Sequence, residues 1–372
     1  MNEDFEFSPI EQNLVKKCTN KALPINTSFE LTPYCNMSCK MCYVVEHKAG
    51  LSLLRKDHWL NIAQQAVDAG VLFVLLTGGE PLLHPDFKEI YCGLKKMGLI
   101  LTINTNGTLI NEQMADFFAN DMPRRINISL YGPSDEVYKE LCGNSKGFTQ
   151  TKKSIELLLE RKVPVKINIV ANTVNYPYLD KMYDFCKKYG LSVEANSYLF
   201  EPLRKTDGGQ QQYRLNPAQM ADANVKWDKY RFPQEQMMVR SVVAYEALKN
   251  YKKPYTLGKH CITCRAGTSS CWICWDGRMT PCVNIPFPSA DIREQGFQKA
   301  WSTIVQGTSK IKVSGKCKSC SLNTFCNKCA AYAYHENGEF GEVPQIICQT
   351  TYEQLHILAK NVERLSNRHN DL

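Results

Sequence analysis

The sequence predicts an α/β protein built from parallel βα units and followed by a smaller, cysteine-rich α+β segment. Two observations lead to this class. Six short β-branched runs alternate with amphipathic helical runs in the first part of the 372-residue chain, as buried parallel strands and their crossover helices do. Ten of the 17 cysteines then fall between His260 and Cys348, where short strands and Gly/Pro turns replace that alternation.

Six strands are predicted from the β-branched runs, at residues 28–32, 72–77, 99–104, 125–130, 165–170 and 191–198. Consecutive parallel strands are joined by right-handed crossovers, and this rule leaves two architectures open. One is a doubly wound sheet and the other is a partial barrel.

Helices are predicted between the strands, at residues 57–69, 86–97, 111–120, 154–161 and 178–189. Asp57, Asp86, Asn111 and Ser154 are predicted as their N-caps, because side chains of these types accept hydrogen bonds from the unpaired N–H groups of a first helical turn.

The pattern changes after about residue 214. Two more helices are predicted at 216–230 and 234–251, and Asn216 followed by Pro217 predicts the cap and first position of the former. We therefore expect three parts. These are a helical extension at residues 1–26, an α/β core at 27–248 and a cysteine-rich segment at 249–372 that ends in a helix.

Composition excludes several classes of protein. The balance of 45 Lys+Arg against 37 Asp+Glu is spread along the chain, and without a recognisable binding motif it predicts no nucleic-acid partner. The longest apolar run, from Val71 to Leu76, is too short to cross a membrane. The first residues do not resemble a signal peptide, so we expect a cytoplasmic protein whose many cysteines bind metal rather than form disulfides.

Three cysteines follow the first predicted strand closely. Cys35, Cys39 and Cys42 are spaced by three and then two residues, and thiolates on one loop suit three corners of an iron–sulfur cubane. Three protein ligands leave the fourth iron open. A structural zinc site would instead need a fourth ligand, for which His47 is the nearby candidate.

This loop resembles the signature of the radical S-adenosylmethionine (SAM) superfamily, CxxxCxxC after the first strand of a partial (β/α)6 TIM-like barrel. The sequence Thr77-Gly78-Gly79-Glu80-Pro81 at the end of the second strand resembles the family motif that holds the amino group of SAM. Glycines allow close backbone approach, and a carboxylate accepts hydrogen bonds from an amino group.

The resemblance implies further contacts with SAM at the carboxyl ends of the strands. Met41 and Leu199 would flank the adenine, and Ser129 would contact the methionine or the ribose. Asn168 would also face SAM, although a polar side chain inside a strand could equally hydrogen-bond the neighbouring backbone. The family often has Arg-Gly after the fourth strand, where the Arg meets the SAM carboxylate, whereas this chain has Cys142-Gly143.

A second resemblance covers the cysteine-rich segment, which is similar to the SPASM domain that holds auxiliary 4Fe–4S clusters. It implies a distal cluster on Cys317, Cys320, Cys326 and Cys348, and a proximal cluster on Cys264, Cys282 and Cys329. The fourth proximal ligand would be Cys261, or that iron would be open to substrate. The spacing from Cys326 to Cys329 is one residue shorter than in the family, and zinc is the alternative metal for such groups.

The remaining cysteines are predicted to have ordinary packing roles, because free cysteine behaves as a small apolar side chain. They are Cys18, Cys92, Cys142, Cys186, Cys271 and Cys274. Cys271 and Cys274 lie on a predicted hairpin strand. Positions an odd number apart on a strand face opposite sides, so the two cannot both face one cluster.

The two resemblances together imply an oxygen-sensitive radical SAM oxidoreductase with SAM, one SAM-binding cluster and two auxiliary 4Fe–4S clusters. Its reaction begins with reductive cleavage of SAM to a 5′-deoxyadenosyl radical, with electrons from a flavodoxin- or ferredoxin-type donor. Relatives with SPASM domains mostly modify peptides or proteins by thioether bonds, carbon–carbon crosslinks or side-chain oxidation. Val283 replaces the aspartate of the sulfatase-maturing type, which disfavours formylglycine formation.

Two alternatives remain at this point, a radical SAM dehydrogenase of a small molecule and a non-enzymatic iron–sulfur or zinc module. Only 34 residues precede Cys35, too few for a leader-binding domain, so a separate leader-recognition protein is a candidate partner. The catalytic base is not identified. The polar candidates are Tyr131, Arg204, Asp207, Tyr213 and Asp276.

Overall fold

The computed structural model describes residues 8–43, 53–202, 211–252, 258–262, 264–326 and 329–370. Six parallel strands lie side by side in chain order, each joined to the next through at least one helix. Strands β1 to β6 are Asn26–Glu30, Phe73–Thr77, Ile100–Thr105, Arg125–Ser129, Val165–Val170 and Ser192–Asn196. A doubly wound sheet would reverse its strand order at a switch point. The unreversed order confirms the partial barrel.

Helices separate the strands and continue beyond the last of them. Helices α1 to α9 are Pro9–Asn20, Lys56–Asp68, Phe87–Lys96, Glu112–Asn120, Asp135–Cys142, Gly147–Glu160, Leu179–Lys188, Pro217–Arg231 and Gln234–Lys249. Short 3₁₀ turns lie at Pro81–Leu83, Tyr176–Tyr178 and Gln211–Tyr213. Cys142 was predicted to lie near a helix end, and it is the last residue of α5, although no bounds were predicted for this helix between the fourth strand and the helix at 154–161.

The capping predictions succeed in part. Asn111 begins α4 with its side chain accepting from the Met114 N–H at 3.0 Å. Asp57 is wrong as a cap, because α2 begins one residue earlier after Arg55. Ser154 is also wrong, since it lies inside α6.

Two of the predicted capping side chains, Ser154 and Asp86, hydrogen-bond other segments instead of their own helices. The Ser154 hydroxyl donates to the backbone oxygens of Gly107 and Ile110 and so ties α6 to the loop after β3. Asp86 precedes α3 as predicted, but its carboxylate accepts from Arg55 and from the Lys56 N–H instead of capping its own helix. Both side chains make contacts between distant segments, and a local sequence pattern does not predict such contacts.

The cysteine-rich segment contains five short strands and four helices among the described residues. Strands β7 to β11 are Lys259–Cys261, Ser270–Ile273, Arg278–Thr280, Ala290–Asp291 and Lys312–Ser314, and helices α10 to α13 are Ile292–Ser309, Lys316–Ser319, Ala330–Asn337 and Gln345–Asn370. Strand β8 pairs in parallel with β1, so the sheet has the order β10-β9-β8-β1-β2-β3-β4-β5-β6. The segment therefore extends the sheet of the barrel.

The two faces of the barrel sheet differ in polarity. The outer face packs on the helices, as where the fully buried Phe29 meets Trp59 with ring centroids 5.0 Å apart. The inner face carries Asn104, Asn127 and Lys166, which are neighbours in the strand register. A TIM barrel interior is usually filled by branched apolar side chains. Here the inner face borders a cavity of about 1040 Å³.

None of the helices in the described parts of the chain is long and apolar enough to cross a membrane.

Candidate active site and auxiliary thiol groups

The loop that carries Cys35, Cys39 and Cys42 follows β1 at the carboxyl end of the barrel. It is fixed on one side by the turn after β2, because the Gly79 N–H donates to Thr32 at 2.7 Å and the Glu80 N–H donates to Tyr34 at 2.8 Å. A Cβ atom at Gly79 would lie only 2.3 Å from the Tyr34 carbonyl oxygen. Glycine is therefore required for this close approach.

The end of α5 fixes the other side of the loop. The Ser38 N–H donates to the carbonyl of Cys142 at 3.0 Å, and the Lys40 N–H donates to that of Leu141 at 2.9 Å. The cysteine loop is thus held between the glycine turn and the last turn of α5.

The three cysteines of the loop share one electrostatic environment. Burial raises the pKa of Cys35 to about 12, and the charges of Glu80, Cys39 and Cys42 add to the effect. The pKa of Cys39 is raised well above its ordinary value, first by a hydrogen bond with the Cys142 side chain and then by burial. Buried thiols become thiolates when a metal supplies the positive charge, so this soft donor set fits an iron–sulfur cluster.

A single metal ion such as zinc is the alternative for these thiols. Among the residues that the structure describes, no three His, Cys, Asp or Glu side chains converge closely enough to hold one ion. The ligands of a cubane bind different irons and need no common centre. His47, the candidate fourth zinc ligand, lies outside the described residues.

Glu80 is a fully buried carboxylate beside the thiol loop. It accepts from the Thr105 hydroxyl at 2.8 Å, the Asn106 N–H at 2.8 Å and the Leu82 N–H at 3.1 Å. Burial raises its pKa to about 7 despite these hydrogen bonds. A carboxylate with this pKa gains from a nearby amino group, as the predicted role in SAM binding requires.

Asn106 links the strand ends to the loop. Its side-chain amide donates to Asn36 at 2.9 Å and lies 3.8 Å from the sulfur of Cys35. Ser129 ends β4, and its hydroxyl hydrogen-bonds the side chain of Tyr131. These polar groups surround the thiols at the carboxyl ends of β3 and β4.

The other predicted SAM contacts occupy different environments. Met41 and Leu199 are each 4% exposed and belong to the main core. Asn168 lines the barrel cavity, between Ser129 and Glu194 in the register of the neighbouring strands.

The candidates for a base have structural contacts where the structure describes them. Tyr131 hydrogen-bonds Cys39 and Ser129, and burial raises its pKa well above the ordinary value. The Lys40 ammonium lies 5.5 Å from the centre of the Tyr213 ring, and Asp276 pairs with Arg278 at 3.5 Å. Arg204 and Asp207 lie outside the described residues.

The cysteines of the second segment divide into two groups by their electrostatic neighbours. Burial raises the pKa of Cys282 to about 12, with contributions from Cys329 and Cys264. We call these three the proximal group. The position of Cys261 in β7 is described, but its side chain is not.

The distal group is defined in the same way. Burial raises the pKa of Cys348 to about 11, with contributions from Cys326, Cys317 and Cys320. Burial raises the pKa of Tyr332, and the charges of Cys329 and Cys326 add to the effect, so this side chain is a neighbour of both groups. The fold thus brings together the four cysteines predicted for the distal cluster and three of those predicted for the proximal cluster, while the side chain of Cys261 lies outside the description.

Cys142 is the residue whose position sequence reasoning missed. It was predicted to have an ordinary packing role, and it is fully buried, but its side chain meets that of Cys39. The available signal was its place in Cys142-Gly143, where the family pattern has a residue that contacts SAM. Cys271 fits its predicted packing role, since it is buried and donates to the Thr27 hydroxyl at 3.3 Å.

A sheet of parallel strands in chain order, with a three-cysteine loop and a glycine-rich turn at its carboxyl end, defines a barrel enzyme of the iron–sulfur class. The model of the radical SAM superfamily matches residues 29–186. These residues are therefore a radical SAM domain, and the cofactors of this family are SAM and 4Fe–4S clusters. The cysteine-rich segment fits auxiliary clusters of the SPASM type.

Two kinds of curated relative extend beyond this domain. The chain is 24% identical over 331 residues to the AdoMet-dependent heme synthase of Methanosarcina barkeri, which covers 85% of this chain and 93% of that protein. It is 25% identical over 328 residues to the subtilosin biosynthesis protein AlbA of Bacillus subtilis. That alignment covers 85% of this chain and 69% of AlbA. One of these relatives is thus a heme synthase, and the other is a protein of bacteriocin biosynthesis.

Solved structures share the fold. Streptococcus suis SuiB bound to its precursor peptide SuiA superposes with a TM-score of 0.66 at 20% identity, over 93% of this chain and 82% of SuiB. Native anSMEcpe with bound AdoMet superposes with a TM-score of 0.67 at 20% identity, over 94% of this chain and 100% of anSMEcpe. Both solved structures therefore support the fold of the whole chain, including the cysteine-rich segment.

Proposed function

We propose that this radical SAM enzyme abstracts a hydrogen atom from a peptide or protein and thereby installs a crosslink or a side-chain oxidation. The observation that carries this proposal is the polar cavity inside the barrel. Its wall includes Asn104, Asn127 and Asn168 from the inner strands and Cys326 from the distal thiol group. Carboxamide side chains donate and accept hydrogen bonds, which suits the amide groups of a peptide chain.

In this proposal, residues 27–248 bind SAM and residues 249–372 hold the auxiliary clusters. Cys35, Cys39 and Cys42 would hold the SAM-binding cluster, with Gly78, Gly79, Glu80, Met41, Ser129, Asn168 and Leu199 around SAM. Cys317, Cys320, Cys326 and Cys348 would hold the distal cluster, and Cys264, Cys282, Cys329 and Cys261 the proximal one. When bound, the cluster and SAM supply the 5′-deoxyadenosyl radical that takes the hydrogen atom.

The protein's own groups have three tasks in this reaction. Glu80 orients SAM by accepting from its amino group, and the hydrogen bonds from Thr105 and Asn106 hold that carboxylate in place. The asparagines of the inner face align the substrate. Tyr198 and Tyr332, with ring centroids 4.3 Å apart, wall the cavity beside the distal group and keep water from the radical.

Two partners follow from the proposal. A reductant of the flavodoxin or ferredoxin type would supply electrons to the SAM-binding cluster. A peptide substrate would be recognised by the barrel cavity itself or through a separate leader-recognition protein.

The test uses the reconstituted enzyme, SAM and a chemical reductant without oxygen. Peptides under about 10 kDa, isolated from source cells grown in heavy water, serve as the substrate pool. We expect 5′-deoxyadenosine one mass unit heavier than with unlabelled peptides. The modified peptide should have lost two hydrogen atoms, which is a loss of two mass units in a parallel reaction with the unlabelled pool. Cys39→Ala should form no 5′-deoxyadenosine, whereas Cys186→Ala, which removes a buried thiol from α7, should behave as wild type.

A second candidate is oxidation of a tetrapyrrole side chain. It is favoured by the likeness to the heme synthases along nearly the full length of both chains. Arg125 and Lys166 on the cavity wall could meet carboxylates. Heme formed from a tetrapyrrole precursor, together with unlabelled 5′-deoxyadenosine from the deuterated peptide pool, would favour this candidate and contradict the first.

A further inference from the structure

The wall of the barrel cavity has an excess of positive charge. Among the residues that the structure describes, six Lys and Arg side chains line it, against two carboxylates, Glu194 and Asp228. One of the six, Arg124, is paired with Glu11 of α1, outside the cavity. The other five, which we call the cationic wall, are Arg125, Lys166, Arg231, Arg240 and Arg265. A cavity lined mainly by one sign of charge concentrates ligands of the opposite sign.

The two carboxylates each hold part of the cationic wall in place. Glu194 accepts from the Lys166 ammonium at 3.0 Å. The buried Asp228 accepts from Arg231 at 2.9 Å and from Arg240 at 2.7 Å, so one carboxylate serves two guanidinium groups. The Nε of Arg240 is also buried, and no described residue hydrogen-bonds it. An unpaired buried donor is costly, and a ligand that brings a further acceptor would satisfy it.

Two members of the cationic wall lie on the inner face of the barrel sheet, away from the thiol loop. Arg125 is the first residue of β4, and its Nε donates to the side chain of Asn127 at 2.8 Å. Lys166 is opposite Asn127 in the register of β4 and β5. Ser129 ends β4 beside the thiols. Because a strand advances about 3.3 Å per residue, the backbone of Arg125 lies about 13 Å before that end, and the level of Lys166 about 7 Å before it.

We propose that the substrate is an acidic peptide whose carboxylates bind the cationic wall while the residue to be modified reaches the carboxyl end of the barrel. This substrate class rests on the proposed function and makes it more specific. An extended peptide also advances about 3.3 Å per residue, so an Asp or Glu should lie about two to four residues from the modified residue. A tetrapyrrole also has carboxylates, but it would bring a broad apolar macrocycle against this polar face.

The experiment uses the full-length reconstituted enzyme and the deuterated peptide pool, with a second pool whose carboxyl groups are converted to methylamides by carbodiimide and excess methylamine. We expect deuterated 5′-deoxyadenosine to form at least about tenfold more slowly from the amidated pool, because charge-assisted hydrogen bonds are lost. Tandem mass spectrometry of the modified peptide from the native pool should find an acidic residue at the stated spacing.

Variants of the cationic wall test the protein side of the contact. Arg125→Gln should raise the concentration of native pool that gives half the maximal rate by about tenfold, while Arg125→Lys keeps the charge and should stay closer to wild type. Arg161→Gln is the matched control. Arg161 pairs with Asp116 and does not line the cavity, so this variant should behave as wild type.

The outcomes separate this substrate class from the proposed function. Equal rates from the native and amidated pools would overturn the acidic substrate. A wild-type half-saturating concentration in Arg125→Gln with full iron content would also overturn it, as would a modified peptide without an acidic residue at that spacing. Unlabelled 5′-deoxyadenosine from both pools would instead contradict the proposed function, and the acidic peptide with it.

Discussion

The indole nitrogen of Trp272 donates a hydrogen bond to the carboxylate of Glu30, with 2.9 Å between Nε1 and Oε2. Glu30 ends the first strand of the barrel and is fully buried, while Trp272 lies on β8 of the cysteine-rich segment. The two strands are also paired in parallel. The cysteine-rich segment thus extends the barrel sheet. It also supplies a hydrogen-bond donor to the buried carboxylate of Glu30, which precedes the thiol loop in the chain.

The Trp272–Glu30 hydrogen bond should contribute measurably to stability. Trp272→Phe leaves a buried carboxylate with one partner fewer, which costs about 1–3 kcal/mol. Trp275→Phe is the matched control. Trp275 lies on the same hairpin and is equally buried at 8% exposure, and no described residue hydrogen-bonds its indole nitrogen. Thermal unfolding should show a lower melting temperature for Trp272→Phe than for Trp275→Phe, and equal losses would contradict this role.

The pKa of Glu80 predicts a pH dependence of SAM binding. Burial raises this pKa from 4.5 to about 7. Protonation of Glu80 therefore favours the folded state, and this contribution to the free energy of unfolding is complete below pH 4.5 and is lost as the pH rises through 7. In the proposed site, the amino group of SAM needs the ionised form of Glu80 as its acceptor. Its affinity should therefore rise about tenfold between pH 6 and pH 8, as the ionised fraction grows from about a tenth to about nine tenths.

Glu80→Gln separates this charge from other titrating groups. The substitution removes a charged acceptor, which is worth about 1.5–3 kcal/mol, and SAM affinity should fall by about 10- to 100-fold and lose its pH dependence. Anaerobic equilibrium dialysis with labelled SAM measures both effects. A variant that retained the wild-type pH slope would show that another group is responsible.

Iron content should distinguish the predicted ligands from the packing cysteines. Three cubanes would load about twelve irons. Cys348→Ala removes a member of the distal group and should lower the content to about eight. Cys271→Ala removes a buried thiol that donates to Thr27 and should leave the content unchanged. An equal loss in both variants, each with a wild-type circular dichroism spectrum, would contradict the division of the cysteines.

The sequence was sufficient for features that depend on local spacing. The β-branched runs located all six barrel strands to within two residues at both ends, and the CxxxCxxC spacing located the thiol loop. The glycine turn was found because it lies directly after β2. These features concern neighbours along the chain, where side-chain type and period determine the structure.

Features that join distant segments were not predictable in this way. Helix α5 follows β4 after a short loop. Its bounds were not predicted, and neither was the contact between Cys142 and Cys39. The parallel pairing of β8 with β1 joins residues about 244 apart, and no local pattern encodes it. The polarity of the inner face appears only when Asn104, Asn127 and Lys166 are aligned by the strand register.

The close approach of Gly79 to Tyr34 provides the sharpest steric prediction. A Cβ atom at residue 79 would meet the backbone of Tyr34 at 2.3 Å and that of Pro33 at 2.8 Å. Backbone cannot move aside as a flexible side chain can, so Gly79→Ala must push the thiol loop away from the turn that carries Glu80. We expect it to lose SAM binding and most of the electron paramagnetic resonance signal that changes when SAM is added, while the iron of the auxiliary clusters is retained.

Gly190→Ala is the control, because residue 190 has a φ of +63° but nothing within 4 Å of the added Cβ. That variant should cost about 1 kcal/mol in stability through its left-handed backbone and leave SAM binding intact. Normal SAM affinity in Gly79→Ala, measured by the same dialysis, would mean that the loop and the turn are not held in contact.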